Sequence, residues 1–188
     1  ETVIAGIGAL AMRKAGSLSE WNFAGLNEIS SGYRTALGAC TPPTNREFQA
    51  GDPLMLDFHS LYGLCMGDYS HNYLIGPTTP VLRRHADNFV DLVDTVLKAY
   101  RSGRTPSDMA ALMMERAEAL GCADFCYPGC EHGIGMWGDE WRIGATLDGP
   151  FPYWTDPDHV YQEGEMLICA MQYAAPDDKV GFRYENVI

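Results

Sequence analysis

Two aspartates, Asp57 and Asp68, are the residues whose positions first suggest chemistry. They lie on the two arms of a predicted β-hairpin. On adjacent antiparallel strands the two carboxylates can face each other and point to one side of the sheet. Like charges on a partly buried face repel each other, so the pair favours the binding of a cation that prefers oxygen ligands. Taken alone, two such aspartates are more often part of a solvated surface.

His132 and Glu185 are two further candidates for a metal site. His132 lies in Glu131-His132-Gly133-Ile134-Gly135, where the small neighbours allow close approach and the imidazole suits Zn, Mn or Fe. Glu185 follows Arg183 by two residues on a predicted strand, so both side chains point to one face. The alternatives are a structural histidine and a surface ion pair between Arg183 and Glu185.

His59 could add a second imidazole to the same face. It follows Asp57 by two residues, and residues with that spacing share one face of a strand. The alternative is an ordinary strand residue that is hydrogen-bonded to a neighbour.

Together these residues stand in phrases that resemble a known family. The phrases span residues 51–57, 68–76, 132–135 and 181–185. In that order they resemble the Xaa-Pro aminopeptidase, prolidase and creatinase superfamily, the M24 metallopeptidases, over nearly the whole chain. The resemblance implies the pita-bread fold of that family's catalytic domain.

The resemblance also implies a function. Asp57, Asp68, His132 and Glu185 match four of the family's five metal ligands. In the family these residues hold one or two divalent ions (Mn, Zn, Fe or Co), which activate water to attack an amide carbonyl. His132 is then also a catalytic residue. The expected substrate is a short peptide or another small amide, with Xaa-Pro dipeptides as the default, and the expected assembly is a homodimer.

The chain departs from the family pattern at several positions. Met171 aligns with the fifth ligand, a glutamate, and a thioether is a poor ligand for hard ions and no general base. His59 stands where the peptidases usually have glycine, and some dimethylsulfoniopropionate lyases on this fold have an extra ligand there. Asp139 and Glu140 replace a His-Glu pair and are candidate catalytic acids or bases. Cys40 replaces a substrate-contacting histidine.

These departures leave alternatives to a metal-dependent hydrolase. One is a metal-free, creatinase-like hydrolase or a lyase that acts on a small zwitterionic nitrogen or sulfur compound, and another is a non-catalytic binding module. A zinc cluster of three cysteines with His132 is a further alternative. The cysteines are Cys122, Cys126 and Cys130. Their spacing is not Cys-x-x-Cys, and Pro128 with Gly129 interrupts any helix that could align them.

The surrounding pattern predicts the elements that carry these residues. Helices are expected over residues 2–14, over about 82–100 and from Thr105 onward, where a threonine cap precedes Pro106. Strands are expected at residues 54–61, 64–75, 166–173 and 180–187. The fold class is therefore α+β, with helices packed on one face of a curved antiparallel sheet.

Composition narrows the possible partners. The 188 residues suit one domain over residues 1–188, and both ends look abrupt, so flanking sequence is expected. The formal charge of -12, from 25 acidic and 13 basic residues, argues against nucleic-acid binding. No apolar run is long enough to cross a bilayer, so a cytoplasmic protein without a membrane partner is expected.

Overall fold

The structure is a computed structural model, which describes residues 1–20, 27–38, 41–127, 131–135, 156 and 158–188. Within these ranges the helices are α1 (Thr2–Lys14), α2 (Pro80–Leu97) and α3 (Pro106–Leu120). The strands are β1 (Glu28–Ser31), β2 (Pro53–Tyr62), β3 (Cys65–Leu74), β4 (Cys126–Tyr127), β5 (His132–Gly133), β6 (Leu167–Ala175) and β7 (Val180–Val187). The predicted α+β class is confirmed.

The two long helices begin where their capping residues place them. The Thr79 hydroxyl accepts a hydrogen bond from the Leu82 amide at the start of α2. At α3, Thr105 and Asp108 form a reciprocal capping box, which satisfies two amides that have no partner inside the helix. Gly121 ends α3 with a φ of 68°, a left-handed conformation that glycine adopts without a steric penalty.

All strand pairs are antiparallel and form one open sheet. The order is β1-β2-β3-β7-β6-β4, and β5 also pairs with β6. Strands β2 and β3 form a hairpin whose turn residues, Gly63 and Leu64, both have positive φ, as a tight two-residue turn requires. Strands β6 and β7 form a second hairpin. The sheet thus places two hairpins side by side along β3 and β7.

Helices α2 and α3 cover one face of the second hairpin. Their apolar side chains pack with alternate residues of β6 and β7, including Met171, Tyr173 and Phe182. The other face of the same hairpin carries Ala170 and Glu185. Among the described residues, no helix has the length and apolar character needed to span a membrane.

Candidate metal centre

The first hairpin brings three of the predicted ligands together. His59 is the partner of Asp68 in the β2–β3 register, and Asp57 is the partner of Ser70. Because paired residues of antiparallel strands point to the same face, all these side chains share one face. The His59 Nε2 atom lies 3.3 Å from Asp57 Oδ1 and 3.5 Å from Asp68 Oδ1. All three ligand candidates are buried.

Two other strands complete the cluster. Glu185 comes from β7, where it pairs with Ser70 and accepts a hydrogen bond from the Ser70 hydroxyl. His132 comes from β5, and its Nε2 atom lies 3.4 Å from Asp68 Oδ2. Asp57, His59 and Asp68 form one group of ligand atoms within 4.8 Å of one another, and Asp68, His132 and Glu185 form a second. All five predicted metal residues therefore lie in one buried cluster.

The backbone determines which nitrogen of His132 faces the cluster as an acceptor. His132 Nδ1 lies 3.0 Å from the Gly133 carbonyl oxygen. A carbonyl can only accept, so Nδ1 carries the proton, and Nε2 of the neutral ring presents a lone pair toward Asp68. A lone pair that faces a carboxylate oxygen needs a cation or a proton between them. This tautomer is the one that a metal ligand requires.

Several carboxylate oxygens of the cluster are buried without a donor. In the part of the chain that the structure describes, both oxygens of Asp57 and Oδ1 of Asp68 accept no hydrogen bond. The Ser70 hydroxyl proton goes to Glu185, and Arg183 Nε lies 3.6 Å from Asp57 Oδ2. Burying an unsatisfied carboxylate is costly, and a coordinated cation removes that cost.

The carboxylates of the cluster differ in how their charge is stabilised. Burial, followed by the nearby charge of Glu185, raises the pKa of Asp57 well above its usual range. Burial also acts to raise the pKa of Glu185, but the Arg183 guanidinium and the Ser70 hydroxyl overcome it, so the pKa is lowered. Burial lowers the pKa of His59, against the opposing charge of Asp68. Without a cation, the cluster therefore favours a proton on Asp57 and a neutral His59.

The spacing of the ligand atoms fits a divalent ion. Two atoms bound tetrahedrally to one ion at about 2.1 Å lie about 3.4 Å from each other. The three contacts that the histidines make with Asp57 and Asp68 measure 3.3, 3.5 and 3.4 Å. These values exceed a normal hydrogen-bond length of about 2.9 Å. The donor set, the spacing and the unsatisfied oxygens therefore agree with a metal centre.

The prediction that Met171 takes the place of a ligand was wrong. Met171 pairs with Tyr184 and packs in the core between the sheet and the helices α2 and α3. Ala170 is the direct partner of Glu185 and lies on the ligand face with Ile168. Because side chains alternate along a strand, a shift of one residue in the alignment moves a position to the opposite face. On the ligand face, the β6 partner of Glu185 is therefore Ala170, whose methyl group offers no donor atom.

Glu131 is a supporting residue that the sequence did not indicate. Its buried carboxylate accepts hydrogen bonds from the hydroxyls of Tyr100 and Tyr161. Tyr100 follows α2 and Tyr161 precedes β6, so these bonds tie β5 to two distant parts of the chain. They hold the backbone next to His132, and only the tertiary structure brings the three residues together.

Glu28 and Arg183 also border the cluster. Glu28 pairs with Asp57 across β1 and β2, so it lies on the ligand face. Burial raises the pKa of the Glu28 carboxyl, and the charge of Arg183 acts against that shift. Arg183 donates to Glu185 Oε1, so it belongs to the centre and not to a surface ion pair.

Other predicted residues lie elsewhere or outside the described residues. The candidate acids or bases Asp139 and Glu140 fall outside them, as do Cys40 and Cys130. Cys122 packs in the helix-side core and accepts, through its carbonyl, a hydrogen bond from the Cys126 thiol. Among the described residues, neither thiol belongs to a group that could hold an ion, which gives the zinc-cluster alternative no support.

Comparison with known proteins places this centre in a family. The model of metallopeptidase family M24 matches residues 1–188. A search of curated proteins gives no match. Among solved structures, the prolidase from Pyrococcus furiosus is 20% identical with a TM-score of 0.84, and the match covers 100% of this chain and 51% of the prolidase.

Two further structures give the same result. The Xaa-Pro dipeptidase from Bacillus anthracis is 21% identical with a TM-score of 0.84, over 100% of this chain and 49% of the dipeptidase. The X-Pro aminopeptidase from Thermotoga maritima MSB8 is 21% identical with a TM-score of 0.79, over 99% and 48%. The chain spans about half the length of these structures. It has their pita-bread fold, and it belongs to metallopeptidase family M24.

Proposed function

We propose that the chain is a metal-dependent hydrolase that cleaves an Xaa-Pro peptide bond or a similar small amide bond. The observation that carries the proposal is the buried group of Asp68, His132 and Glu185, in which the His132 lone pair faces a carboxylate oxygen. Membership of the M24 family supports a peptidase-like hydrolase. The substrate class rests on the prolidase and Xaa-Pro dipeptidase structures that the chain resembles.

A divalent ion at this centre would supply Lewis acidity toward a carbonyl oxygen and lower the pKa of water. The residues around it hold the ligands in place. Arg183 and Ser70 donate to the two oxygens of Glu185 and keep it charged. Glu131, bound by two tyrosine hydroxyls, fixes the strand that carries His132.

The other predicted participants remain predictions. Asp139 and Glu140 are the candidates for proton transfer, and mutation of each residue tests that role. The homodimer is likewise a prediction. The excess of acidic residues agrees with a small peptide or zwitterionic substrate better than with a nucleic acid.

The proposal predicts that Asp68→Asn removes bound metal and hydrolysis together. Asp68 belongs to both groups of ligand atoms, and an amide of the same shape removes the charge that a cation needs. Metal affinity should fall by about 100-fold or more. The measurements are elemental analysis of the loaded protein and hydrolysis of Xaa-Pro dipeptides in the presence of Mn²⁺, Zn²⁺ or Co²⁺.

Asp94→Asn is the matched control, because Asp94 is an exposed aspartate paired with Lys98. It should leave both metal content and hydrolysis unchanged. Unchanged metal content in Asp68→Asn would contradict the assigned centre. Hydrolysis that survives complete metal removal would instead favour the metal-free, creatinase-like alternative.

A further inference from the structure

His59 occupies a position that the four family ligands leave open. Its Nε2 atom lies 3.3 Å from Asp57 Oδ1 and 3.5 Å from Asp68 Oδ1, and its side chain is 7% exposed. Both of those oxygens are buried and accept no hydrogen bond within the described part of the chain. Three potential ligand atoms therefore converge on one point from β2 and β3.

Asp68 separates this point from the position next to His132. Its Oδ1 atom faces His59, whereas its Oδ2 atom faces His132 at 3.4 Å. A carboxylate with one imidazole on each oxygen has the arrangement of a ligand that bridges two cations. Each position then has an imidazole nitrogen, one oxygen of Asp68 and one further carboxylate, Asp57 on one side and Glu185 on the other.

The second hairpin explains why an added imidazole is useful. At the register position opposite Glu185, β6 presents the methyl group of Ala170, which packs with Ile134 and Ile168. No donor atom reaches the centre from that side chain. Asp57, Asp68 and Glu185 must then supply the carboxylate oxygens for both ions. His59 adds a nitrogen donor on the opposite side of the cluster.

We propose that His59 is a metal ligand that completes a second ion position with Asp57 and Asp68, so that each of the two positions has one nitrogen donor. This inference rests on the proposed metal-dependent function and deepens it. Three protein ligands at each position leave room for water or substrate, as at catalytic metal sites. Imidazole suits Zn²⁺, Co²⁺ and Fe²⁺ better than Mn²⁺. His59 therefore shifts the preference of its position away from Mn²⁺.

The experiment measures metal binding to the whole chain, with no substrate present. Metal-free protein is titrated with Zn²⁺ and with Mn²⁺ alone by calorimetry, and the ions per chain are counted by elemental analysis. Wild type should bind two Zn²⁺ ions. His59→Ala should lose one of them, or bind it at least about tenfold more weakly. His59→Asp should restore the second position with an oxygen donor and prefer Mn²⁺ relative to wild type.

His71→Ala is the matched control. His71 lies on the adjacent strand but on the opposite face, stacked against Tyr69, so the substitution should not change stoichiometry or affinity. Circular dichroism and the thermal midpoint of each variant show whether it is folded. If His59→Ala does not fold, the Zn²⁺ to Mn²⁺ preference of His59→Asp still tests the ligand role.

The outcomes separate this inference from the proposed function. If His59→Ala keeps the stoichiometry and affinity of wild type, or if His59→Asp keeps its metal preference, His59 is not a ligand and the inference is overturned. If wild type binds a single ion that survives His59→Ala but not Asp68→Asn, the inference fails while the metal-dependent function stands. If wild type binds no divalent ion, both fail.

Discussion

The two hairpins have the same topology but differ in what their faces carry. The β2–β3 hairpin places Asp57, His59 and Asp68 on the ligand face, and its other face leaves Tyr69 and Tyr73 40% and 48% exposed. The β6–β7 hairpin provides Glu185 to the ligand face, and its other face is buried under α2 and α3. The first hairpin therefore provides most of the candidate metal ligands, and the second provides most of the apolar core.

This difference teaches how a metal site can change its ligands without a change of fold. The core under α2 and α3 uses the other face of the second hairpin, so the side chain at position 170 on the ligand face takes no part in that packing. The imidazole of His59 likewise lies on a face of the first hairpin that already carries the buried polar residues Asp57 and Asp68. The family fold and the ligand set are separable for this reason.

The largest expected effect comes from a carboxylate on the face of the second hairpin that packs against α2 and α3, opposite the ligand face. Met171→Glu buries a carboxyl among Tyr173 and Phe182, where burial raises its pKa well above the usual range and favours the protonated form. The free energy of unfolding should fall by about 4–6 kcal/mol at pH 7, because keeping the buried carboxyl protonated costs about 3–4 kcal/mol and the lost apolar burial of the Met171 side chain costs about 1–2 kcal/mol more. Chemical denaturation with and without Zn²⁺ is the measurement, and the ion should not rescue the variant.

Ala170→Glu is the matched variant one residue away, on the ligand face. Without metal it also buries a carboxyl, here beside Glu185, and adds volume, so the free energy of unfolding should fall by about as much as in Met171→Glu. With metal present the new carboxylate becomes a ligand, so the metal-dependent rise in the thermal midpoint should exceed that of wild type. An equal response of the two variants to Zn²⁺ would contradict the assignment of faces.

The next prediction compares two tyrosines, each on the face of its hairpin that points away from the candidate metal ligands. Tyr173 is fully buried, and its hydroxyl lies 2.6 Å from His85 Nδ1. Tyr173→Ala should cost about 3–5 kcal/mol because it leaves a cavity and removes the partner of His85 Nδ1. Tyr73 is 48% exposed, so Tyr73→Ala should cost less than about 1 kcal/mol. Urea denaturation measures both, and similar losses would show that the hairpins do not differ as described.

The sequence predicted most of the elements because their signals are local. The cap at Thr105 with Pro106 and Asp108 determines where α3 begins, and the structure has the reciprocal bonds that this pattern predicts. The alternation around Asp57 and Asp68 was also sufficient to place His59 on the ligand face. Local periodicity and short-range turn chemistry carry this information.

The sequence was insufficient where a side chain depends on distant pairing. Met171 was predicted at the ligand position because nothing local distinguishes it from Ala170, and only the register with Glu185 decides between them. Glu28 reaches the centre solely because β1 pairs with β2. The hydroxyls that hold Glu131 come from two other parts of the chain, whose meeting no local pattern encodes.

The smallest predicted effect concerns pH and the start of the first hairpin. Asp52 precedes β2, accepts hydrogen bonds from Arg46 and from the Gln49 amide, and has a lowered pKa because these bonds outweigh its burial. A lowered pKa in the folded state gives stability that is present above the unfolded pKa and is lost as pH falls through the folded pKa.

Asp52→Asn should therefore cost about 1–2 kcal/mol near pH 7, because it weakens the bonds to Arg46 and Gln49. The difference from wild type should narrow below about pH 4, where the Asp52 carboxylate of the unfolded chain begins to take up a proton while that of the folded chain is still charged. Urea denaturation at several pH values measures the difference. Asp94→Asn, which removes an exposed charge, should change stability by less than about 0.5 kcal/mol at every pH. A difference between Asp52→Asn and wild type that is constant from pH 7 to pH 3 would show that the Asp52 charge does not stabilise the first hairpin.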